Sequence, residues 1–162
     1  MRFKLLLSLE KNFNMYSVEF DTNIIKGVEP IDIDLLNPHE KIIREKKTRL
    51  TKFIKSFDEY YIISSILICH KTHVIIDGHH RYFSLKELGF KKVPVTKIDY
   101  SSDLISTGVG GNGIPKDEII SKGVSNGLFE PKSTQHLIYC SRSKAWHPII
   151  LLSTMFKIDT NN

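Results

Sequence analysis

The sequence has little cysteine and no long apolar run. Its two cysteines, Cys69 and Cys140, match neither a metal-binding spacing nor a disulfide framework. This scarcity predicts a reduced, cytoplasmic setting. The apolar run near the N-terminus is shorter than the ~7–15-residue core of a signal peptide, and no stretch approaches the ~20 apolar residues of a membrane span. We therefore expect neither a secretory leader nor a membrane partner.

Positive charge is present but not concentrated in one block. The 162 residues carry a formal net charge of +5 at pH 7, which favours anionic partners such as nucleotides. Lysine and arginine are spread along the chain, which argues against a dedicated nucleic-acid-binding arm. The 41% hydrophobic content and the length suit one domain, or one domain with a small appendage.

Residues 74–90 form the most informative stretch of the sequence. The β-branched run at 74–76 predicts a short buried strand. Asp77 and Gly78 then predict a tight turn, in which Asp77 can cap a helix that begins there. A helix of about three turns fits next and stops at Gly89. The pattern is therefore strand, turn and helix.

The first turn of this helix contains His79, His80 and Arg81. Cations are disfavoured there because the N-terminal end of the helix dipole is positive. Free backbone N–H groups at a helix start bind anions, most often phosphate. The placement therefore indicates a phosphate-binding site, and the alternative is a polar helix start at the surface.

The elements before this motif are predicted from their periodicity. Residues 28–36 alternate apolar and acidic side chains, which predicts a half-buried strand. Residues 40–57 follow a helical pattern with one basic face, with Pro38 just ahead and Glu40 in the first turn. Glu40 therefore has an ordinary explanation as a partner of the helix dipole.

Further strands surround the motif. Residues 60–69 and 74–76 predict a hairpin that leads into it. Residues 92–99 predict another strand, in which Pro94 indicates an edge position or a strand start. Together these patterns predict a compact α+β core over residues 28–100.

The flanking regions are different in character. Residues 1–27 are predicted to be a lead-in with short strands at 3–9 and 16–20. Residues 106–114 contain four glycines, which predicts a mobile lid or connector without the spacing of a P-loop. The remaining predicted elements are a helix over 116–125, a strand over 137–139 and a closing apolar element over 149–156.

Three motifs in order carry a family resemblance. The segment Asp77-Gly-His-His-Arg81, with its flanking strand and helix, resembles the ParB/sulfiredoxin-like fold, and this form of the motif resembles the free L-serine kinases, which make O-phospho-L-serine. Pro38-His-Glu40 resembles a second element of that family. Pro131-Lys-Ser-Thr-Gln-His136 resembles a third. The likeness covers about residues 28–140.

The resemblance implies both a fold and a function. The implied fold is α+β, with a ParB/sulfiredoxin-like nucleotide-binding core over 28–100 and a small C-terminal α/β substrate lobe over 101–162. The implied activity is transfer of a phosphoryl group from ATP or ADP to the hydroxyl of free L-serine or a similar small hydroxyl compound, with Mg²⁺ as cofactor.

The motif residues fill the roles that phosphoryl transfer needs. The resemblance implies Glu40, Asp77 and His79 as catalytic residues, with Glu40 as the base and Asp77 as the Mg²⁺ ligand. The implied phosphate-binding residues are Gly78, His79, His80 and Arg81. The implied substrate-binding residues are Lys132, Ser133, Thr134 and His136.

One departure and three alternatives accompany this interpretation. Gln135 stands where the family usually has arginine, so the acceptor can differ from serine. A ParB-like DNA-binding module lacks an evident helix-turn-helix here. A sulfiredoxin-like reductase needs a cysteine in the phosphate loop, where His79 and His80 stand, and is excluded. A non-catalytic nucleotide or metabolite sensor remains open.

Overall fold

The structure is a computed structural model that describes residues 18–159. The strand predicted over residues 3–9 lies outside the described residues, as does the start of the one predicted over 16–20, and residues 18–20 have no regular secondary structure. None of the helices between residues 18 and 159 has the length and apolar character needed to span a lipid bilayer.

The described residues form strands and helices in a mixed order. In chain order the strands are β1 (Ile25–Asp32), β2 (Tyr60–Ser64), β3 (Ile66–Cys69), β4 (Ile75–Asp77), β5 (Lys92–Ile98), β6 (Ile105–Ser106), β7 (Leu137–Cys140), β8 (Ala145–Pro148) and β9 (Met155–Asp159). The helices are α1 (Arg44–Ile54), α2 (His79–Glu87) and α3 (Lys116–Val124).

A four-stranded mixed sheet lies at the centre, in the order β1-β5-β3-β4. β5 is antiparallel to β1 and parallel to β3, and β3 forms a hairpin with β4. The predicted hairpin is therefore confirmed for β3 and β4. It is wrong for β2, which pairs with β9 instead. Ser65 lies between β2 and β3, and its N–H donates to the Thr154 carbonyl at 2.8 Å, next to the β2–β9 pair.

Both faces of the central sheet are buried. In β3, Leu67 and Cys69 belong to one apolar cluster, while Ile66 and Ile68 belong to another. The two sets alternate because successive strand residues point to opposite faces. α1 and α2 contribute to the second cluster, and α3 and β7 contribute to the first. The uninterrupted apolar run of β3 is the pattern expected of a strand covered on both sides.

The bounds of two elements and the sheet position of one strand differ from the prediction. The strand predicted over 28–36 ends at Asp32, whose carboxylate accepts the Asp34 N–H at 3.0 Å and turns the chain into a 3₁₀ turn at Ile33–Leu35. The helix predicted over 40–57 is shorter, spanning Arg44–Ile54. Pro94 lies in a central strand. It is tolerated because the ladder with β3 begins one residue later, at Val95.

The C-terminal region is built on a smaller sheet, β6-β7-β8. The helix predicted after Pro115 is confirmed as α3. β9 then leaves this region and pairs with β2, beside the central sheet. The division at residue 100 stays a prediction, and the β2–β9 pair joins segments on either side of it.

Candidate active site

The turn between β4 and α2 requires glycine. Gly78 has φ 105°, in the left-handed region, and it precedes the first residue of α2. A Cβ at this position would lie 3.1 Å from Nε of Arg81. Asp77 does not cap the helix, contrary to the expectation from sequence, because its carboxylate pairs with Arg81 one turn later. This turn and the start of α2, residues 77–81, are called the motif wall below.

Arg81 points into the protein. Its guanidinium pairs with Asp77 and donates to the Ser64 hydroxyl at 2.5 Å and to the Ser65 carbonyl at 2.6 Å. Only 9% of the residue is exposed. Burial raises the pKa of Asp77, although the Arg81 charge opposes this. Arg81 therefore ties the start of α2 to the end of β2.

The two histidines of the motif wall accept hydrogen bonds from the backbone. Nε2 of His79 accepts the His39 N–H at 3.3 Å, and Nε2 of His80 accepts the Ile43 N–H at 3.1 Å, next to α1. Burial lowers the pKa of both imidazoles, most strongly for His79, and neighbouring positive charges add to this. Both rings are therefore neutral near pH 7, which removes the conflict with the helix dipole.

A second segment lies alongside the β3–β4 hairpin. Asn37 donates its N–H to the His73 carbonyl at 3.0 Å and accepts the Ile75 N–H at 2.9 Å. The segment that follows Asn37 therefore runs alongside β4, toward its end. It places His39 and Glu40 next to the motif wall.

The Glu40 carboxylate holds the loop that precedes β7. Its Oε1 accepts the Lys132 N–H at 2.8 Å, and its Oε2 accepts the Thr134 N–H at 3.1 Å and the Thr134 hydroxyl at 2.7 Å. Phe129 adds backbone bonds on both sides of Glu40, to the His39 carbonyl and the Lys41 N–H. We call the three bonds to the carboxylate the Glu40 clasp. They bring together groups more than 90 residues apart in sequence.

Lys132 and Ser133 lie at the edge of this arrangement. Lys132 has φ 63°, so the clasp holds a left-handed turn. Its side chain is exposed and lies near Lys46 of α1, whose pKa it lowers by charge repulsion. The Ser133 hydroxyl donates to the Glu130 carbonyl at 2.6 Å.

His136 closes the arrangement from the β7 side. Its Nε2 makes a 2.8 Å hydrogen bond with the Tyr100 hydroxyl. Burial, together with the nearby His39 and Lys116, lowers the pKa of His136 to about 3. Burial also raises the pKa of Tyr100. His136 is therefore a neutral, hydrogen-bonded ring.

These groups surround one cavity of about 380 Å³. Of the residues predicted from sequence, its wall contains Glu40, Asp77, Gly78, His79, His80, Arg81, Thr134 and His136. Lys132 and Ser133 are not part of the wall. Gln135 and the 148–150 segment line it as well.

Sequence reasoning missed two residues that support the cavity. His39 is fully buried, with its ring 4.5 Å from that of His79 and 5.9 Å from that of His136. Its place within Pro38-His-Glu40 was an available signal. Tyr100 follows a predicted strand, and no sequence pattern indicated that its hydroxyl would reach His136.

Known proteins resemble this chain in sequence over about half of its length. An ATP-dependent L-serine kinase of Staphylothermus marinus is 43% identical over 81 residues, which are 47% of this chain and 32% of that protein. An ADP-dependent L-serine kinase of Thermococcus kodakarensis is 33% identical over 78 residues, 45% of this chain and 31% of that protein. No family model matches the sequence.

A solved structure shares the fold. It is described as a variant of a free serine kinase in complex with AMP, with a TM-score of 0.61 and 13% identity, and the match covers 76% of this chain and 91% of that one. The predicted resemblance to the free serine kinases is confirmed. So is the α+β fold class. The chain spans about a third of the length of the curated relatives it matches.

Proposed function

We propose that this protein is a small-molecule kinase that transfers a phosphoryl group from ATP or ADP to the hydroxyl of free L-serine or a similar small hydroxyl compound. One observation carries the proposal. The start of α2, which is of the kind that binds phosphate, lines the same cavity as the Glu40 clasp. A phosphate donor and a hydroxyl acceptor can therefore meet there. The sequence similarity to ATP- and ADP-dependent L-serine kinases supports it.

The motif wall is proposed to hold the nucleotide phosphates. The first N–H groups of a helix have no partner within it, and together with the helix dipole they favour a phosphate. His79 and His80 have Nε2 occupied by backbone donors, so Nδ1–H is the group through which each ring can donate. The Arg81 guanidinium already pairs with Asp77 and donates to Ser64 and Ser65, so its proposed role is to hold the turn.

Asp77 is the proposed Mg²⁺ ligand. One of its oxygens pairs with Arg81, and the other has no hydrogen-bond partner among the described residues. Between residues 18 and 159 no group of three or more His, Cys, Asp or Glu side chains is arranged to hold a metal. A single carboxylate suits Mg²⁺, which prefers one or two carboxylates with phosphate and water as its other ligands. Bound there, the ion would neutralise charge on the phosphates.

The side of the cavity formed by Glu40 and residues 132–136, called the clasp side below, is proposed to hold the acceptor. Glu40 takes the hydroxyl proton, and its Oε1 carries only one hydrogen bond, from Lys132, so it retains a lone pair for this purpose. Thr134 and His136 line the cavity beside it, and Lys132 and Ser133 belong to the same loop. We propose that these four residues form the acceptor site, with the Lys132 ammonium as the charge that pairs with the acceptor's carboxylate.

Phosphorus NMR of a reaction with ATP or ADP, Mg²⁺ and a panel of free amino acids tests the proposal. We expect a new phosphomonoester signal with L-serine. Absence of transfer to any hydroxyl compound in the panel, with either nucleotide, would overturn it. The same experiment identifies the donor.

Calorimetry tests the metal assignment separately. Asp77→Asn should weaken nucleotide binding on the order of tenfold in the presence of Mg²⁺, since metal affinity falls by such factors when a ligand shell is disturbed. Without Mg²⁺, AMP binding should change much less. An equal loss under both conditions would show that Asp77 acts through the fold.

A nucleotide-binding protein without turnover is the second candidate. It is favoured by the three hydrogen bonds that already occupy the Glu40 carboxylate. Binding of ATP or ADP with no transfer in the phosphorus NMR experiment would select it.

A further inference from the structure

Hydrogen-bond directions around Thr134 assign a proton on His39. The Thr134 hydroxyl has one hydrogen, and it points to Oε2 of Glu40 at 2.7 Å, because an ionised carboxylate only accepts. The same hydroxyl oxygen lies 3.3 Å from Nε2 of His39. That contact is a hydrogen bond only if His39 donates it, so Nε2 carries a proton.

The other nitrogen of His39 agrees with this assignment. Nδ1 is buried and has no hydrogen-bond partner. In a neutral ring protonated at Nε2, Nδ1 is a bare lone pair, which is less costly to bury than an unpaired N–H. Burial is the largest cause of the lowered pKa of His39, and the Glu40 charge and a backbone contact with Ile75, which does not meet hydrogen-bond geometry, act in the opposite direction. The titratable rings of His79 and His136 face it as well.

We infer that His39 is a positioning residue that orients the Glu40 carboxylate through the Thr134 hydroxyl. The donor at Nε2 of His39 fixes the direction of the Thr134 hydrogen, and that hydrogen holds Oε2 of Glu40. Oε1 is then the oxygen left to face the acceptor. This inference rests on the proposed function.

The chain of bonds links the acceptor loop to the base. During transfer, the acceptor oxygen forms its bond to phosphorus as the bond from phosphorus to the nucleotide oxygen breaks, and the leaving nucleotide keeps that electron pair. The acceptor's proton passes to Oε1 of Glu40. His39 and Thr134 keep their own protons throughout. The base is therefore oriented only while the loop is clasped.

A double-mutant cycle tests the chain kinetically. His39→Phe keeps a buried ring but removes the donor, and Thr134→Val keeps the shape but removes the hydroxyl. Each should lower kcat on the order of tenfold or more, because a base that is no longer oriented loses part of its contribution to the rate. The double variant should lose little beyond either single variant, because both break one chain. AMP affinity, measured by calorimetry, should stay within about twofold in all three.

Conservative variants separate positioning from packing. His39→Gln and Thr134→Ser restore an N–H or O–H donor and should recover most of the lost kcat. His70→Gln, in the turn between β3 and β4, is the matched histidine control. Additive losses, or no recovery by the conservative variants, would overturn the inference.

Histidine ¹⁵N NMR tests the hydrogen-bond chain without any turnover. His39 should show a protonated Nε2 and a bare Nδ1 near pH 7, and Thr134→Val should shift the Nε2 signal. A protonated Nδ1 with a bare Nε2, or no response to Thr134→Val, would overturn the inference. If the wild-type protein transfers no phosphate while these signals appear as expected, the proposed function fails and the hydrogen-bond chain stands.

Discussion

The two sides of the cavity are built from contacts of very different range. The motif wall is contiguous in sequence, and its ion pair joins Asp77 to Arg81 one helical turn away. The clasp side joins Glu40 to Lys132 and Thr134, which lie more than 90 residues further along. The first side is part of the folded core. The second is held by contacts between distant segments, which include the Glu40 carboxylate and the backbone bonds of Phe129.

This difference assigns different consequences to the two sides. Breaking the motif wall leaves buried charge unpaired, so the cost falls mainly on stability. Breaking the clasp releases a surface loop, so the substitution should mainly weaken acceptor binding and lower turnover. Substitutions on each side test that division, beginning with the largest expected effect.

Glu40→Gln should lower kcat about 1,000-fold, within the range that a general base contributes. The amide also places an N–H₂ group where the carboxylate accepted bonds from Lys132 and Thr134. The KM for L-serine should therefore rise, while AMP affinity stays near that of the wild type. Steady-state kinetics and calorimetry measure these quantities.

Glu130→Gln is the matched control for this prediction. Glu130 is a carboxylate of the same loop, but it forms an exposed pair with Lys41 outside the cavity. Its substitution should leave kcat within about twofold, since exposed pairs contribute little. If Glu40→Gln keeps its turnover within a few-fold of wild type, Glu40 holds the loop and is not the base.

Arg81→Met should lower the free energy of unfolding by about 2 kcal/mol, less than the ~3–5 kcal/mol of a fully buried ion pair, because the Asp77 side chain is 35% exposed. The Asp77 carboxylate and the Ser65 carbonyl lose their donor in this variant. Urea denaturation measures the change. Lys86→Met is the control in the same helix, because its pair with Asp34 is exposed and should contribute little to stability.

A loss of AMP binding without a loss of stability would reverse the roles given to the two sides of the cavity. If Arg81→Met retains its stability but loses AMP binding, the guanidinium binds phosphate directly. The motif wall would then be the functional side and not the structural one.

Acidification should destabilise the fold through His136. The folded-state pKa of this ring is about 3, against an ordinary value near 6.5. Below pH 6.5 the unfolded chain binds a proton that the folded protein does not, so stability falls with pH until about pH 3. Between pH 6.5 and 5 the loss from this group should be about 2 kcal/mol.

Urea denaturation of wild-type protein and of His136→Gln at both pH values measures this contribution. The variant should have a flatter dependence on pH, because glutamine does not titrate. His39 and His79 also have lowered pKa values and contribute with the same sign. Parallel pH dependences for the two proteins would show that folding does not lower the pKa of His136.

The backbone of the motif wall could be predicted from sequence because local patterns determine its strand, turn and helix. The β-branched run gives β4, and Gly78 marks a turn that only glycine fits well. The inward pairing of Arg81 was missed, although its spacing from Asp77 is that of neighbouring groups on a helix. The signal was present, but the expectation of a phosphate ligand took precedence over it.

The clasp side could be predicted only as a set of segments. The resemblance associated Glu40 with the 132–136 segment, but periodicity carries no information about which side chains meet across the fold. The same limit applies to β9, whose pairing with β2 depends on the path of the chain around the central sheet. The lengths of α1 and of β1 were also set by side-chain and loop contacts that local patterns do not contain.

Gln135→Arg should have the smallest effect and the most specific one. Gln135 is exposed and lines the cavity on the clasp side, at the position where the resemblance to the free L-serine kinases leads us to expect arginine. A guanidinium there can bind the acceptor's carboxylate with two parallel hydrogen bonds, which amide groups cannot match. The KM for L-serine should fall about threefold to tenfold, with kcat and AMP affinity little changed.

Steady-state kinetics across a panel of hydroxyl acceptors measures this change in KM, and Gln135→Met is the uncharged control. If the arginine variant gains nothing with L-serine but loses turnover of another hydroxyl compound, Gln135 selects a different acceptor, and the clasp side sets that choice while the motif wall is unchanged.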